Sequence, residues 1–232
     1  MANLRDKFID KIRDDFELLS TIVLRQMGNI LTLTQDNNDE NKYKNIEENE
    51  KIIDSLEVKI RDEVINSIAL YSPRAIDSRK IISYHDMTAY LERVGDLLLN
   101  ISDFFRTLNS KGFAYQTLHQ LIEEQLVHVN EMIKNAIFAF TCEDEELARQ
   151  IIAQDDAVDA NHREITQSIP RLFAGQTMTE QDMSDAQAIS NMSYNIERIG
   201  DNATNIAETA IYLMDGKNAK HIHNKENAQN NE

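Results

Sequence analysis

Slid along itself by 105 residues, this chain meets its own pattern again. The offset carries Met27 onto Met132, Asp54 onto Asp159, Arg74 onto Thr179 and Met87 onto Met192, with no gap. The match is densest where Met87–Asp103 overlies Met192–Glu208. Identical pairs there are Met87/Met192, Glu92/Glu197, Arg93/Arg198, Gly95/Gly200, Asp96/Asp201, Asn100/Asn205 and Ile101/Ile206. A repeat of this length confines the fold to two copies of one unit, each with the same order of elements.

The apolar spacing says what that unit is. From Phe8 onward, Ile9, Ile12, Phe16, Leu19, Ile22, Val23, Met27, Ile30 and Leu31 recur at helical intervals. The run stops at the polar cluster Gln35–Asp39. A second helix is predicted from about Asn45 to Leu70, ending before Ser72-Pro73 because the residue before proline avoids the helical region. A third runs from near Ile76 to Ser110-Lys111-Gly112. The plan then recurs: a fourth helix spans about Tyr115 to Phe140. A fifth, with Thr141 and Asp144 as its capping pair, continues to Phe173, with Pro170 as the place for a bend. A sixth opens at Thr179 with Asp182 and extends to about Leu213. The expected fold is all-α, two tandem three-helix bundles, at residues 1–110 and 113–214. The Asn/Lys/His-rich segment 215–232 is expected to be a disordered polar tail. Six glycines and two prolines are too few for the turns of an all-β fold.

A formal net charge of −16 with no Lys/Arg cluster argues against nucleic-acid binding and for cations or a basic protein face. The single cysteine, Cys142, excludes a disulfide framework or a Cys-based zinc site within one chain. The charged N-terminus lacks an apolar stretch, and no run approaches the ~18 apolar residues of a membrane span, so a cytoplasmic location is expected. No phosphate-binding glycine loop, Ser/His/Asp constellation or nucleotide fingerprint is present, which points away from an enzyme.

On a helical wheel, Glu92, Asp96 and Asp103 fall within about 40° of one another, with Asn100 beside them. Met87, Val94, Leu98, Ile101 and Phe105 lie opposite. Glu197, Asp201 and Glu208 form the same stripe in the second copy, with Met192, Ile199, Ala203, Ile206 and Ala210 opposite. The second helix of each half adds Glu50, Asp54 and Glu57, and Asp155, Asp159 and His162. The acids are therefore expected to face away from the core. Each i, i+4 acid pair sets two like charges together on one helix surface, which costs a few tenths of a kcal/mol. Two such stripes on adjacent helices could offer four to six oxygens to hard or borderline cations. Simple solvated faces are the plain alternative. What favours the first reading is that the acids survive in both halves while Leu97-Leu98-Leu99 has become Asn202-Ala203-Thr204. Gly95 and Gly200, each costing about 1 kcal/mol against alanine in mid-helix, suggest close helix packing. His162 is either a ligand or a surface histidine with a raised pKa, Met27, Met132 and Met192 are core, and His221 and His223 are incidental.

The segments Leu91-Glu92-Arg93-Val94-Gly95-Asp96 and Ile196-Glu197-Arg198-Ile199-Gly200-Asp201-Asn202-Ala203-Thr204-Asn205-Ile206-Ala207-Glu208 resemble the PhoU family of phosphate-uptake and phosphate-signalling regulators. The likeness covers residues ~5 to 213 and includes the tandem layout and the acid pattern of both second helices. It implies a cytoplasmic negative regulator that links the ATPase subunit of an ABC phosphate transporter to a sensor histidine kinase. A homodimer is implied, with contact to the membrane only through those partners. It also implies metal on the E(D)xxxD motifs, here Glu50/Asp54, Glu92/Asp96, Asp155/Asp159 and Glu197/Asp201. Iron or zinc is the leading expectation, with magnesium or manganese possible. His162 departs from Glu57 and would make the second site softer. Leu97-Leu98-Leu99 would leave the outer edge of the first motif apolar. The competing reading is a carboxylate metal-binding (iron) bundle with a storage or oxidase role, which typically needs inward-facing Glu-x-x-His pairs.

Overall fold

The structure, a computed structural model, describes residues 4–175 and 177–216. Its helices are α1 (Leu4–Leu33), α2 (Glu40–Tyr71), α3 (Ala75–Thr107), α4 (Phe113–Thr141), α5 (Glu145–Ile152), α6 (Asp155–Leu172) and α7 (Glu180–Asp215). Helices α1, α2 and α3 pack on one another, and α4, the α5–α6 pair and α7 repeat that arrangement. The tail beyond Gly216, with His221 and His223, lies outside the described residues.

The chain's local chemistry sets the ends. Asp39 opens α2 by accepting from the Asn41 backbone N–H, several residues before the apolar pattern becomes visible. Ser72 closes it in the left-handed region at φ 42°, and Pro73 prevents continuation. The capping box of Thr179 and Asp182 is formed, with the Asp182 N–H donating to Thr179 Oγ1 at 3.1 Å. The other expected cap is not. Asp144 itself caps α5 by accepting from the Leu147 N–H at 3.0 Å, while Thr141 ends α4 and donates back to the Ile137 carbonyl. The predicted single fifth helix is in fact two, parted at Ala153-Gln154. Pro170 sits inside the last turn of α6, which closes two residues later at Leu172. Among the described residues no helix is long and apolar enough to cross a membrane.

The two halves share one core. Besides the contacts within each bundle, α3 packs along α7 and α1 against α4. Phe16, Tyr84 and Phe140, from α1, α3 and α4, meet edge to face with centroids 5.2–5.5 Å apart. Tyr115 of α4 donates to the Thr34 carbonyl at the end of α1. Because α3 is central, Leu97 and Leu98 are buried and Leu99 half-buried. The leucines thus belong to the interior and not to an outer edge. Met27, Met132 and Met192 are fully buried, as the spacing predicted.

The matched glycines mark where helices press closest. A Cβ on Gly95 would stand 3.0 Å from Ile53 Cδ1, and one on Gly200 would stand 3.1 Å from Val158 Cγ1. Ile53 and Val158 are themselves repeat partners, so α2 meets α3 as α6 meets α7. Val158 is β-branched and locked in one rotamer on its helix, so it cannot turn aside. Gly200→Ala is expected to lower stability by about 1 kcal/mol, overpacking outweighing the gain in helix propensity. In a Val158→Ala background the same change should be neutral or stabilising. Thermal denaturation of the four-member cycle reads the coupling, and additive effects would show that the contact yields.

Candidate metal centre

The close approach at each glycine brings carboxylates of two helices to one seam. In the first half the seam runs between α2 and α3. Glu50 reaches across it, its Oε2 only 3.0 Å from where a Gly95 Cβ would lie. Gln26, fully buried on α1, closes the inner side. Its Nε2 lies 3.2 Å from both Glu50 Oε2 and the Gly95 carbonyl. Glu50 is only 6% exposed, and its Oε1 has no hydrogen-bond partner. Burial pushes its carboxyl up to about 7, with the charges of Asp96 and Asp54 adding to the shift and the Gln26 bond opposing it. Glu92 is half-buried, and burial, then Asp96, Glu57 and Asp54, raises its pKa as well.

The second seam lies between α6 and α7. Burial, followed by the charges of Asp201, Asp159 and Asp155, pushes Glu197 up to about 7. Its Oε2 is buried without a partner. Asp201 is raised by burial and by Asp155 and Asp159, with Arg198 partly offsetting. Asp155 accepts from Thr204 Oγ1 at 3.2 Å, and Asp159 lies 3.7 Å from Arg163. His162 is half-buried, with Nδ1 2.9 Å from Ser193 Oγ. Burial lowers its pKa despite the opposing Asp159 charge. It is therefore not the surface histidine with a raised pKa that one reading of the sequence allowed.

The structure thus gathers Glu50, Asp54, Glu57, Glu92 and Asp96 at one seam and Asp155, Asp159, His162, Glu197 and Asp201 at the other. The expectation that all these acids face away from the core fails at Glu50. A wheel treats a helix alone, whereas α1 lays Gln26 over the α2–α3 groove and covers that position. The outer part of the stripe does not join in: Asp103 is exposed and 3.8 Å from Arg106. Sequence reasoning missed Gln26, Gln125, Ser193 and Thr204. Gln26 and Gln125 left a trace, each a polar residue within an apolar helical stripe, next to Met27 and Leu126.

Among the described residues no three His, Cys, Asp or Glu side chains converge closely enough to hold one ion. Each seam is an open line of donors and not a closed cage. The donor chemistry nevertheless suits a cation: oxygen ligands in excess, one imidazole, and one orphaned carboxylate oxygen per seam, on Glu50 and Glu197.

The raised carboxyls fix a pH dependence. A carboxyl whose folded pKa exceeds its unfolded value binds more protons when folded, so stability falls as pH rises from about 4.5 towards 7. Metal-free protein is expected to melt higher at pH 5 than at pH 8 as far as these groups are concerned. Glu50→Gln, which keeps an acceptor for Gln26, should raise the melting temperature at pH 8 and leave it nearly unchanged at pH 5. Calorimetry across that range checks this, and equal effects at both pH values would show that Glu50 is not held protonated.

Comparison with known proteins agrees with this architecture. The PhoU domain matches twice, at residues 16–105 and 122–210. The phosphate-specific transport system accessory protein PhoU homolog of Xylella fastidiosa is 30% identical over 169 residues, covering 73% of this chain and 68% of that protein. The phosphate-specific transport system accessory protein PhoU of Escherichia coli is 28% identical over 215 residues, covering 92% and 86%. The crystal structure of PhoU from Pseudomonas aeruginosa superposes with a TM-score of 0.82 at 25% identity, covering 91% of this chain and 99% of that one. With the domain matched once in each half, and its glycine-centred motif lining each seam, this chain belongs to the PhoU family.

Proposed function

We propose that this chain is a non-enzymatic accessory protein of phosphate uptake and a cytoplasmic negative regulator of the phosphate-starvation response. It bridges the ATPase subunit of an ABC phosphate transporter and a sensor histidine kinase, and carries metal ions on its two acidic seams. The observation that carries the reading is the pair of repeat-related carboxylate seams, each with an unsatisfied buried oxygen, in a PhoU-family chain whose relatives are named for phosphate transport.

Iron or zinc is the leading candidate for the ion, with magnesium or manganese the harder alternatives. A bound cation supplies positive charge to a seam that the chain's own residues leave negative. Glu50 and Glu197, whose carboxyls are pushed up to about 7 when the seam is alone, then give up the protons they still hold. Gln26 holds the Glu50 carboxylate in place, and Thr204 holds Asp155. The change in seam charge alters which basic surface can dock there. To regulate, the chain must prefer one state of its partner, because equal affinity for both states shifts nothing. Large apolar side chains are exposed towards the end of α2 and the start of α3, with Ile65 57%, Leu70 67% and Ile76 71% exposed, and such side chains suit a protein-facing surface and a homodimer.

Deleting the chain in cells with a phosphate-response reporter tests the regulatory role. Constitutive expression in high phosphate is expected, and an unaltered response would remove it. Elemental analysis of tag-free protein tests the seams separately. Glu197→Gln with Asp201→Asn is expected to abolish metal at the second seam and spare the first, and an unchanged total would sink the second site.

A further inference from the structure

In a chain so rich in carboxylates, Arg25 bonds to a neutral amide. Its Nη2 donates to Asn49 Oδ1 at 2.6 Å, and among the described residues it makes no ion pair. Arg25 lies on α1 and Asn49 on α2. One turn from each, Asn29 and Asn45 line the same groove. The groove holds a cavity of about 280 Å³, whose lining Glu48 and Ile52 complete.

The Arg25–Asn49 bond fixes what the cavity offers. A guanidinium only donates, so the Asn49 carbonyl oxygen faces it and the NH2 group is turned away. Asn49 is 5% exposed, and its Nδ2 meets no acceptor. Gln26 Oε1, an acceptor on the residue after Arg25, is without a partner too, so the two do not meet. A buried amide donor left unmet is destabilising, and protein interiors meet nearly all of them. The Asn29 and Asn45 side chains likewise make no hydrogen bond among the described residues, so donors stand on both walls. The second half lacks this arrangement, because the repeat partner of Asn49 is Gln154, at the break between α5 and α6.

We propose that the α1–α2 cleft binds inorganic phosphate, with Arg25 supplying the positive charge and the Asn49, Asn29 and Asn45 amides the further donors. The planar fork of an arginine matches phosphate oxygens. A tetrahedral anion presents acceptors towards both walls, whereas a carboxylate presents two in one plane. Glu48, the one acid of the lining, has only a loose contact with Lys44 at 3.8 Å. It repels an anion without a proton, such as sulfate, but accepts a hydrogen bond from the proton that phosphate retains near neutral pH. Glu48 therefore selects phosphate over sulfate. The biological use of the site rests on the reading of this chain as an accessory protein of phosphate uptake.

Calorimetric titration of the full chain in chloride buffer at pH 7, with side-chain amide NMR, tests the cleft. Inorganic phosphate is expected to bind and to shift the Asn49 NH2 signals. Arg25→Gln, at an exposed position, should weaken phosphate roughly 10–100-fold. Glu48→Gln should bring sulfate level with phosphate. No binding to the native chain, or an affinity unmoved by Arg25→Gln, would overturn the site. Acetate bound as well as phosphate would do the same. Phenyl phosphate, standing for a phosphorylated side chain of a partner, should bind no more tightly than phosphate. Tighter binding would give the cleft to such a partner and overturn the free anion as its ligand. The deletion strain keeps the two readings apart. A reporter unaltered by deletion, with phosphate still bound through Arg25, removes the regulatory role and leaves the site. Constitutive expression on deletion, with no phosphate bound, removes the site and leaves the role.

Discussion

Bringing two helix backbones together at Gly95 and Gly200 has an electrostatic consequence. With no Cβ at those positions, Ile53 and Val158 seat directly against the facing helix. The acids one turn to either side are carried into the groove, where water is partly excluded. Glu50 and Glu197 are each held among like charges without a full set of hydrogen bonds. Packing and site chemistry therefore have the same origin. The contact that stabilises the bundle also raises the carboxyl pKa values, because desolvation disfavours the charged form.

The two seams are related by the repeat but are not copies. In the first, the most deeply buried acid comes from the second helix of the unit, Glu50, drawn inward by Gln26. In the second no acid is buried so deeply: Glu197 and Asp155, the repeat partner of Glu50, are both half-buried, Glu197 with an unpartnered Oε2 and Asp155 meeting Thr204. The first groove is covered by a buried residue of the unit's first helix, and the second has no counterpart, because the equivalent residue is exposed. Gln26 fills that place in α1, whereas Glu131 stands at the equivalent position in α4. A duplicated scaffold can so keep its glycine contact and still diverge in the polarity of each seam.

The periodicity made the architecture legible, since a stripe of apolar residues at helical spacing has few other places to go. The repeat located the seams, and Thr179 with Asp182 announced the start of α7. The split between α5 and α6 was hidden because Ala153 and Gln154 are not helix breakers, and both remain near helical backbone angles. The burial of Glu50 was hidden for a different reason. It depends on a third helix, and a pattern read along one helix holds no information about what covers it. Gln125, Ser193 and His162 are separated by up to 68 residues, so their bonding became visible only when α4, α6 and α7 were assembled.

Keeping such seams works against stability, and the rest of the molecule shows how it is tolerated. Like charges one turn apart, and carboxylate oxygens without partners, are features that selection for stability alone would replace by neutral groups. Here one wall of each seam is α3 or α7, helices that bury long apolar faces and pack on each other across the two halves. Their positions are fixed by a core running continuously from Phe16 through Tyr84 to Phe140. A strained polar group is held most accurately on an element that cannot move without disrupting the core. Building each seam against one of these central helices keeps the carboxylates close together when repulsion between them would otherwise spread them into solvent.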